Sequence, residues 1–274
     1  MMGMSELGFL VAERYALLRP IGSGGMGRVW LARDELLHRD VAIKEIVPPS
    51  GMTDAQVNAL RQLTVREARA AAQLSHNHVV RIYDIVHWRQ WPWIVMEYVR
   101  SRSLLEILRS DGPLPAGQVA TVGLALVDAL SAAHGAGVLH RDVTPQNVLM
   151  GDSGRIVLAD FGVAHWDRDG ELTDAELMGT AHYVAPERVM SGASTPAGDF
   201  WSLGATLYAA VEGRSPYSRP SLQATLSALI NSPPDPPVRA GALTTVLNGL
   251  LTRDPAARLG AVETRRQLEL AVSR

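Results

Sequence analysis

Near Ser101 the apolar side chains change their period, and this change restricts the fold of the chain more than any single motif does. From Tyr15 to about Val47, short apolar runs alternate with turn signals: Tyr15 to Ile21, a glycine cluster, Val29 to Ala32, the polar stretch Asp34 to Asp40, then Val41 to Val47. Runs of that length, divided by glycine and polar residues, predict three consecutive antiparallel strands. Between Asp54 and Leu74 the residues Val57, Leu60, Leu63 and Ala68 to Ala72 recur at helical spacing, and two more strand-like runs follow, Val79 to Val86 and Trp93 to Val99. Beyond Ser101 the pattern is helical. It predicts helices over Leu104 to Arg109, over Val119 to His134 with Val119, Val122, Leu126 and Leu130 on one face, and over Pro196 to Glu212 behind the start signal Ser194-Thr195-Pro196. The four prolines of Ser232 to Pro237 exclude helix and mark a surface loop. The fold class is therefore α+β, a small antiparallel sheet with one helix followed by a mainly α-helical part.

With 274 residues, 47% hydrophobic and 20% charged, the chain can bury two separate cores. Its net charge of -2, with no run of basic residues, lacks the electrostatic footprint of a nucleic-acid binder. The absence of cysteine rules out disulfides and thiolate metal sites and fits a reducing compartment, so a cytoplasmic location is expected. Met1 to Leu10 has no basic segment leading into a long apolar run, and Asp128 interrupts the apolar stretch Val119 to Ala133. No membrane contact is expected from this segment, and an anchor beyond residue 274 stays open.

Among 26 basic Lys and Arg side chains there is one lysine, Lys44, in Val41-Ala42-Ile43-Lys44. Most solvated cationic sites accept either residue, whereas a compact ammonium aimed at phosphate oxygens is not reproduced by a planar guanidinium. Upstream, Gly22-Ser23-Gly24-Gly25-Met26-Gly27 matches G-x-G-x-x-G, a weak pattern alone. A dinucleotide-binding fold needs a helix directly after these glycines, but Arg28 to Ala32 is strand-like, which favours a glycine-rich hairpin over phosphates. An innocent turn is the competing reading. Glu67, on the following predicted helix, is the candidate partner for Lys44, although most helix glutamates are simply solvated.

The densest signal is His140-Arg141-Asp142-Val143-Thr144-Pro145-Gln146-Asn147, followed by the strand-like Val148 to Met150, a turn at Gly151 to Gly154, and Ile156 to Ala159 leading into Asp160-Phe161-Gly162. Phosphoryl transfer from a nucleotide needs hard side-chain oxygens for Mg²⁺ and a carboxylate for the accepting hydroxyl. Asn147 and Asp160 suit the metal, and Asp142 suits the hydroxyl.

These motifs resemble those of the protein kinases, closely the eukaryotic-like Ser/Thr kinases of bacteria, over about Tyr15 to Arg266. The resemblance implies a two-lobed kinase fold, an N-lobe at 1–99 and a C-lobe at 100–274, that transfers the γ-phosphate of ATP to protein Ser or Thr. It implies Gly22, Gly24 and Gly27 over the phosphates, Lys44 on the α- and β-phosphates with Glu67 as its partner, Asp142 as catalytic base, and Asn147 and Asp160 on Mg²⁺, for which Mn²⁺ is an acceptable substitute. Ile21, Val29 and Ala42 would contact the nucleotide, with Met96 as gatekeeper. Glu97 and Val99 of the hinge, and Leu149, would complete its site. Further matches are Ala185-Pro186-Glu187, Asp199, and Arg258 as the partner of Glu187. The implied partners are protein substrates and a second copy of the chain for autophosphorylation.

Thr144 is the departure, standing where Ser/Thr kinases carry a lysine beside the transferred phosphate. A pseudokinase or nucleotide-binding scaffold is therefore the rival reading. Pro145 and Thr180 favour Ser and Thr over Tyr as acceptors, and Thr173 in the middle of the activation segment is the expected autophosphorylation site, with Arg141 as its family partner. Trp88, Trp91 and Trp93, with His76, His78 and His87, are expected to pack rather than to bind ligand.

Overall fold

The computed structural model describes residues 9–24, 27–48, 51–89, 91–161 and 181–272. It divides into two compact units, Met1–Ser75 with Val80–Arg100, and His76–Val79 with Ser101–Arg274.

The first unit is a six-stranded antiparallel sheet with one long helix. Its strands are β1 (Leu10–Val11), β2 (Tyr15–Gly24), β3 (Gly27–Asp34), β4 (Arg39–Ile46), β5 (Ile82–Trp88) and β6 (Trp91–Glu97), in the order β1-β2-β3-β4-β6-β5. The three predicted N-terminal strands are all present. The later two each shift: the run expected from Val79 begins at Ile82, and the run expected from Trp93 begins at Trp91 and ends at Glu97. Trp88 and Trp91 face each other across the β5–β6 turn, and this cross-strand aromatic pair lengthens the hairpin by packing on the core edge. Alternation along the strands sorts the side chains. Trp30, Ile43 and Val95 occupy one register position and join Tyr15, Leu17 and Trp93 in the buried cluster on one face. Helix α1 (Asp54–Ala72) starts at a capping box in which Thr53 and Gln56 satisfy each other's backbone amides, and it buries Leu60, Thr64, Ala68 and Ala71.

The second unit is mainly helical. It contains α2 (Leu104–Ser110), α3 (Ala116–Gly135), α4 (Pro186–Ser191), α5 (Pro196–Glu212), α6 (Leu222–Asn231), α7 (Thr244–Leu250) and α8 (Ala261–Val272). A three-stranded antiparallel sheet joins them, made of β7 (Ser101–Ser103), β8 (Val148–Gly151) and β9 (Ile156–Leu158). Helix α3 is long and apolar enough to cross a bilayer, and here it packs against α5 and α8. The approach is close because position 123 is glycine: a Cβ there would lie 3.0 Å from Leu207 Cδ1 and 2.9 Å from Leu268 Cδ1. The predicted start of α5 is observed, with Thr195 Oγ1 accepting from the Gly198 amide and Pro196 in the first turn. Residues 232–237 form a loop, as their prolines require.

Residues 76–79 lie within the first domain by sequence position but group with the second unit. The Leu158 amide donates to the His78 carbonyl at 2.8 Å, His78 Nδ1 lies 2.7 Å from the Ile156 carbonyl oxygen, and Val79 bridges Leu158 in parallel. Both His78 and His76 are thus structural: the His78 amide donates to His76 Nδ1 at 3.3 Å.

Candidate active site

In the first unit the glycine cluster closes the β2–β3 hairpin, where Gly24 pairs with Gly27, and a strand follows it directly. This is the hairpin alternative, not the strand-to-helix turn of a dinucleotide fold. Gly27 has φ +141°, and a Cβ there would collide with the Glu45 carbonyl oxygen, so only glycine fits between this loop and β4. Gly22 pairs with Val29, Val29 with Lys44, and Lys44 with Ile94. Ala42 pairs with Met96 two residues along. Strand alternation therefore puts Lys44, Val29, Ala42 and Met96 on one face of the sheet, opposite the buried aromatic cluster. Ala42 and Met96 are buried, Lys44 is half-buried, and Ile21 and Gly22 at the strand end are exposed. Glu67 sits half-buried on α1 beside the buried Ala68. Glu97 ends β6, and Val99 lies in the segment that leaves it.

In the second unit, the segment 140–147 runs between α3 and β8 and is tied down from four directions. Asp199, on α5 and 2% exposed, accepts from the His140 amide at 2.9 Å and the Arg141 amide at 2.7 Å, and its Oδ2 lies 2.7 Å from His134 Nε2. Burial alone would push its carboxyl up. The bond to His134, the nearby His140 ring and the two amides outweigh that and hold it below the usual carboxylate range. Thr206 Oγ1 donates to the Val143 carbonyl, the Leu105 amide to the Pro145 carbonyl, and Arg188 Nη1 to the Arg141 carbonyl. The fully buried His140 accepts from the Asp142 amide at Nδ1, which leaves Nε2 to donate to the Ala159 carbonyl at 2.8 Å. Its ring meets Phe161 edge-on at 4.5 Å.

This scaffold brings the sequence-predicted residues of the second unit together around the β8–β9 hairpin. Asn147 immediately precedes β8, and Asp160 follows β9 by two residues. The Ala159 amide donates to the Asn147 carbonyl at 2.9 Å, which closes the two ends on each other. Asn147 Nδ2 donates at 2.8 Å both to the Asp142 carbonyl and to Asp142 Oδ2. With the amide nitrogen so engaged, Oδ1 is the atom of Asn147 that a cation would take. A side-chain amide oxygen and the Asp160 carboxylate are hard donors of the kind Mg²⁺ prefers, so the residues fit that ion. Arg141 (φ 70°) and Asp160 (φ 62°) both hold left-handed backbone conformations, which for non-glycine residues concentrate at functional sites. Leu149 lies half-buried on β8.

Sequence reasoning missed Thr206, His134 and Arg188 as supports of this segment. Only the density of buried polar residues on α5 could have pointed to the first. Thr173 and Thr180 lie outside the described residues. Glu187 and Arg258 meet as expected, at 2.7 and 2.9 Å in a two-point pair, and Arg258 also donates to the Ala197, Thr252 and Arg253 carbonyls. The guanidinium lies 5.0 Å from the Trp201 ring centroid.

The model of the protein kinase domain matches residues 15–268. The chain is 36% identical over 267 residues to the serine/threonine-protein kinase PknA of Corynebacterium glutamicum, covering 93% of this chain and 55% of the relative. It is 34% identical over 212 residues to the serine/threonine-protein kinase PrkC of Bacillus subtilis (77% and 32%), and 35% identical over 213 residues to PknL of Mycobacterium bovis (76% and 52%). The chain thus spans between about a third and just over half of the length of these relatives.

Proposed function

The chain belongs to the protein kinase family, and from that membership we propose that it transfers the γ-phosphate of ATP to Ser or Thr side chains of proteins. The observation that carries the reading is the joined set Asp142, Asn147 and Asp160, in which Asn147 Nδ2 holds the Asp142 carboxylate and the Asn147 carbonyl accepts from the amide of Ala159, next to Asp160. Asp142 orients the accepting hydroxyl and takes its proton. Gly22, Gly24 and Gly27 offer backbone N–H groups to phosphate oxygens, and Lys44, with Glu67 as partner, places one positive charge on the α- and β-phosphates. Ile21, Val29, Ala42, Met96 and Leu149 supply apolar contacts for the base, and the backbone of Glu97 to Val99 its hydrogen bonds. Magnesium bound by Asn147 and Asp160 would neutralise charge on the phosphates. Catalysis is then mostly positioning and electrostatics. Incubation with labelled ATP tests the reading: wild type should incorporate label, and Lys44→Met and Asp142→Asn should not. Label absent from wild type with ATP still bound would favour the scaffold reading instead.

Thr144 is 6% exposed, and its carbonyl accepts from the Asn147 amide. Its hydroxyl offers no cation to the developing charge on the transferred phosphate. Thr144→Lys is expected to raise the rate of phosphoryl transfer roughly tenfold or more, since one preorganised donor is commonly worth at least that. An unchanged rate would mean that another group already covers the charge.

The resemblance also supports autophosphorylation at Thr173, carried out by a second copy of the chain. The added charge of about -1.5 to -2 would pair with Arg141. Mass spectrometry after incubation with MgATP should find the phosphate there. Fully active enzyme with an unmodified Thr173 would instead assign the charge role to its neighbours Asp174 and Glu176.

A further inference from the structure

Every residue of α5 from Asp199 to Val211 is buried, and a Cβ at Gly204 would lie 2.6 Å from Leu250 Cβ, so this helix sits tight against α7. A hydroxyl in such a helix ordinarily donates to the carbonyl four residues back, as Ser202 Oγ does to Gly198 at 3.2 Å. Thr206 does otherwise. Its Oγ1 donates at 2.8 Å to the carbonyl of Val143, 63 positions away in sequence, and both residues are fully buried. Asp199 and Thr206 stand seven residues apart, which at about 100° per residue brings them within about 20° of one side of the helix. From that side they hold the two flanks of Asp142: Asp199 accepts from the His140 and Arg141 amides ahead of it, and Thr206 donates to the Val143 carbonyl after it. A relay leads on from there. The Thr144 carbonyl accepts from the Asn147 amide at 3.0 Å, and Asn147 Nδ2 returns at 2.8 Å to Asp142 Oδ2. The Asn147 carbonyl is fixed separately, by the Ala159 amide at the end of the β8–β9 hairpin.

We propose that Thr206 is a positioning residue for phosphoryl transfer: its hydroxyl, given to the Val143 carbonyl rather than to its own helix, sets the direction of the Asp142 carboxylate. The proposal rests on the reading of Asp142 as the proton acceptor. Without the hydroxyl a buried carbonyl loses its donor and turns toward another partner or toward water. That turn rotates the peptide after Val143, and with it the relay that reaches Asp142 Oδ2. A displacement of about 1 Å at a reacting group lowers a rate by as much as about 10²-fold. The Asn147 carbonyl, tied to Ala159, keeps its place. Loss of the hydroxyl therefore lowers kcat and spares the KM for ATP.

Two replacements separate positioning from packing. Thr206→Val keeps the shape and removes the donor, whereas Thr206→Ser keeps the donor and removes a buried methyl. Packing alone ranks serine as the worse replacement, and positioning ranks valine as the worse. Initial rates of label transfer from ATP to dephosphorylated casein, taken well below each melting temperature, should show kcat roughly tenfold lower in Thr206→Val, KM for ATP within about twofold, and near-wild-type values in Thr206→Ser. Ser202→Ala removes a hydroxyl that bonds within its own helix and should transfer at the wild-type rate. Hydrogen exchange over residues 140–147, read by mass spectrometry, should be faster in Thr206→Val alone. An unchanged kcat in Thr206→Val, an equal loss in Thr206→Ser or Ser202→Ala, or a change confined to KM would each overturn the proposal. If wild type binds ATP yet transfers no label, the phosphotransferase reading falls; faster exchange in Thr206→Val alone then still upholds the hydroxyl as the hold on the segment, and equal exchange removes it.

Discussion

Asparagine in place of Asp142 is expected to lower transfer of labelled phosphate from ATP by roughly 10²–10⁴-fold, the range that a positioned general base contributes, with little change in melting temperature. The separation of the two effects follows from how position 142 is held. Its amide donates to His140 Nδ1, its carbonyl accepts from Asn147 Nδ2, and the preceding amides are fixed by Asp199. An asparagine can turn its own oxygen toward Asn147 Nδ2 and keep that bond, so the site retains its shape and loses only the charge and the proton acceptor. A variant that transfers phosphate at the wild-type rate would remove Asp142 from the mechanism. A variant that melts well below wild type would mean that the charge itself supports the loop.

Glu187→Ala is expected to destabilise the second unit by about 3 kcal/mol, the lower end of the cost of orphaning one member of a buried ion pair, because the Glu187 side chain keeps 16% exposure while that of Arg258 has none. For a unit of this size that corresponds to a fall in melting temperature of roughly 10 °C. The Arg258 contacts to three backbone carbonyls survive this substitution, so the loss isolates the uncompensated charge. Replacing the pair by apolar residues, Glu187→Leu with Arg258→Met, removes the charge but strands those carbonyls, and should recover only part of the loss. Thermal and urea denaturation of the single and double variants measure both terms. A single variant as stable as wild type would show the pair to be screened by solvent, and full recovery in the double variant would show the carbonyl contacts to add nothing.

Local pattern carried the fold wherever one short stretch determined its own structure. The three N-terminal strands, the Thr195-Pro196 start of α5 and the β8–β9 hairpin were all legible because alternation, capping and turn chemistry act over a few residues. The strand Ser101–Ser103 was not, since three polar residues carry no period and pair only because Leu149 to Gly151 lie alongside them. His76–Val79 escaped for the same reason: its partners, Ile156 and Leu158, are nearly eighty residues away. At the site, motif spacing named the residues that touch chemistry, Asp142, Asn147 and Asp160. It could not name Thr206, His134 or Arg188, whose side chains act through bonds to a distant backbone or carboxylate. α4, α6, α7 and α8 had no assignment in advance, because their apolar positions are short and interleaved with loops.

An endoprotease that cleaves after lysine meets this chain at one peptide bond, Lys44–Glu45. That bond lies inside β4, flanked by β3 on one side and β6 on the other, where an extended substrate cannot enter a protease cleft until the strand detaches. The two fragments, 1–44 and 45–274, therefore accumulate in proportion to the population of the opened sheet, and at its opening rate once protease is abundant enough to outpace reclosing, which gives the sheet its own built-in clock.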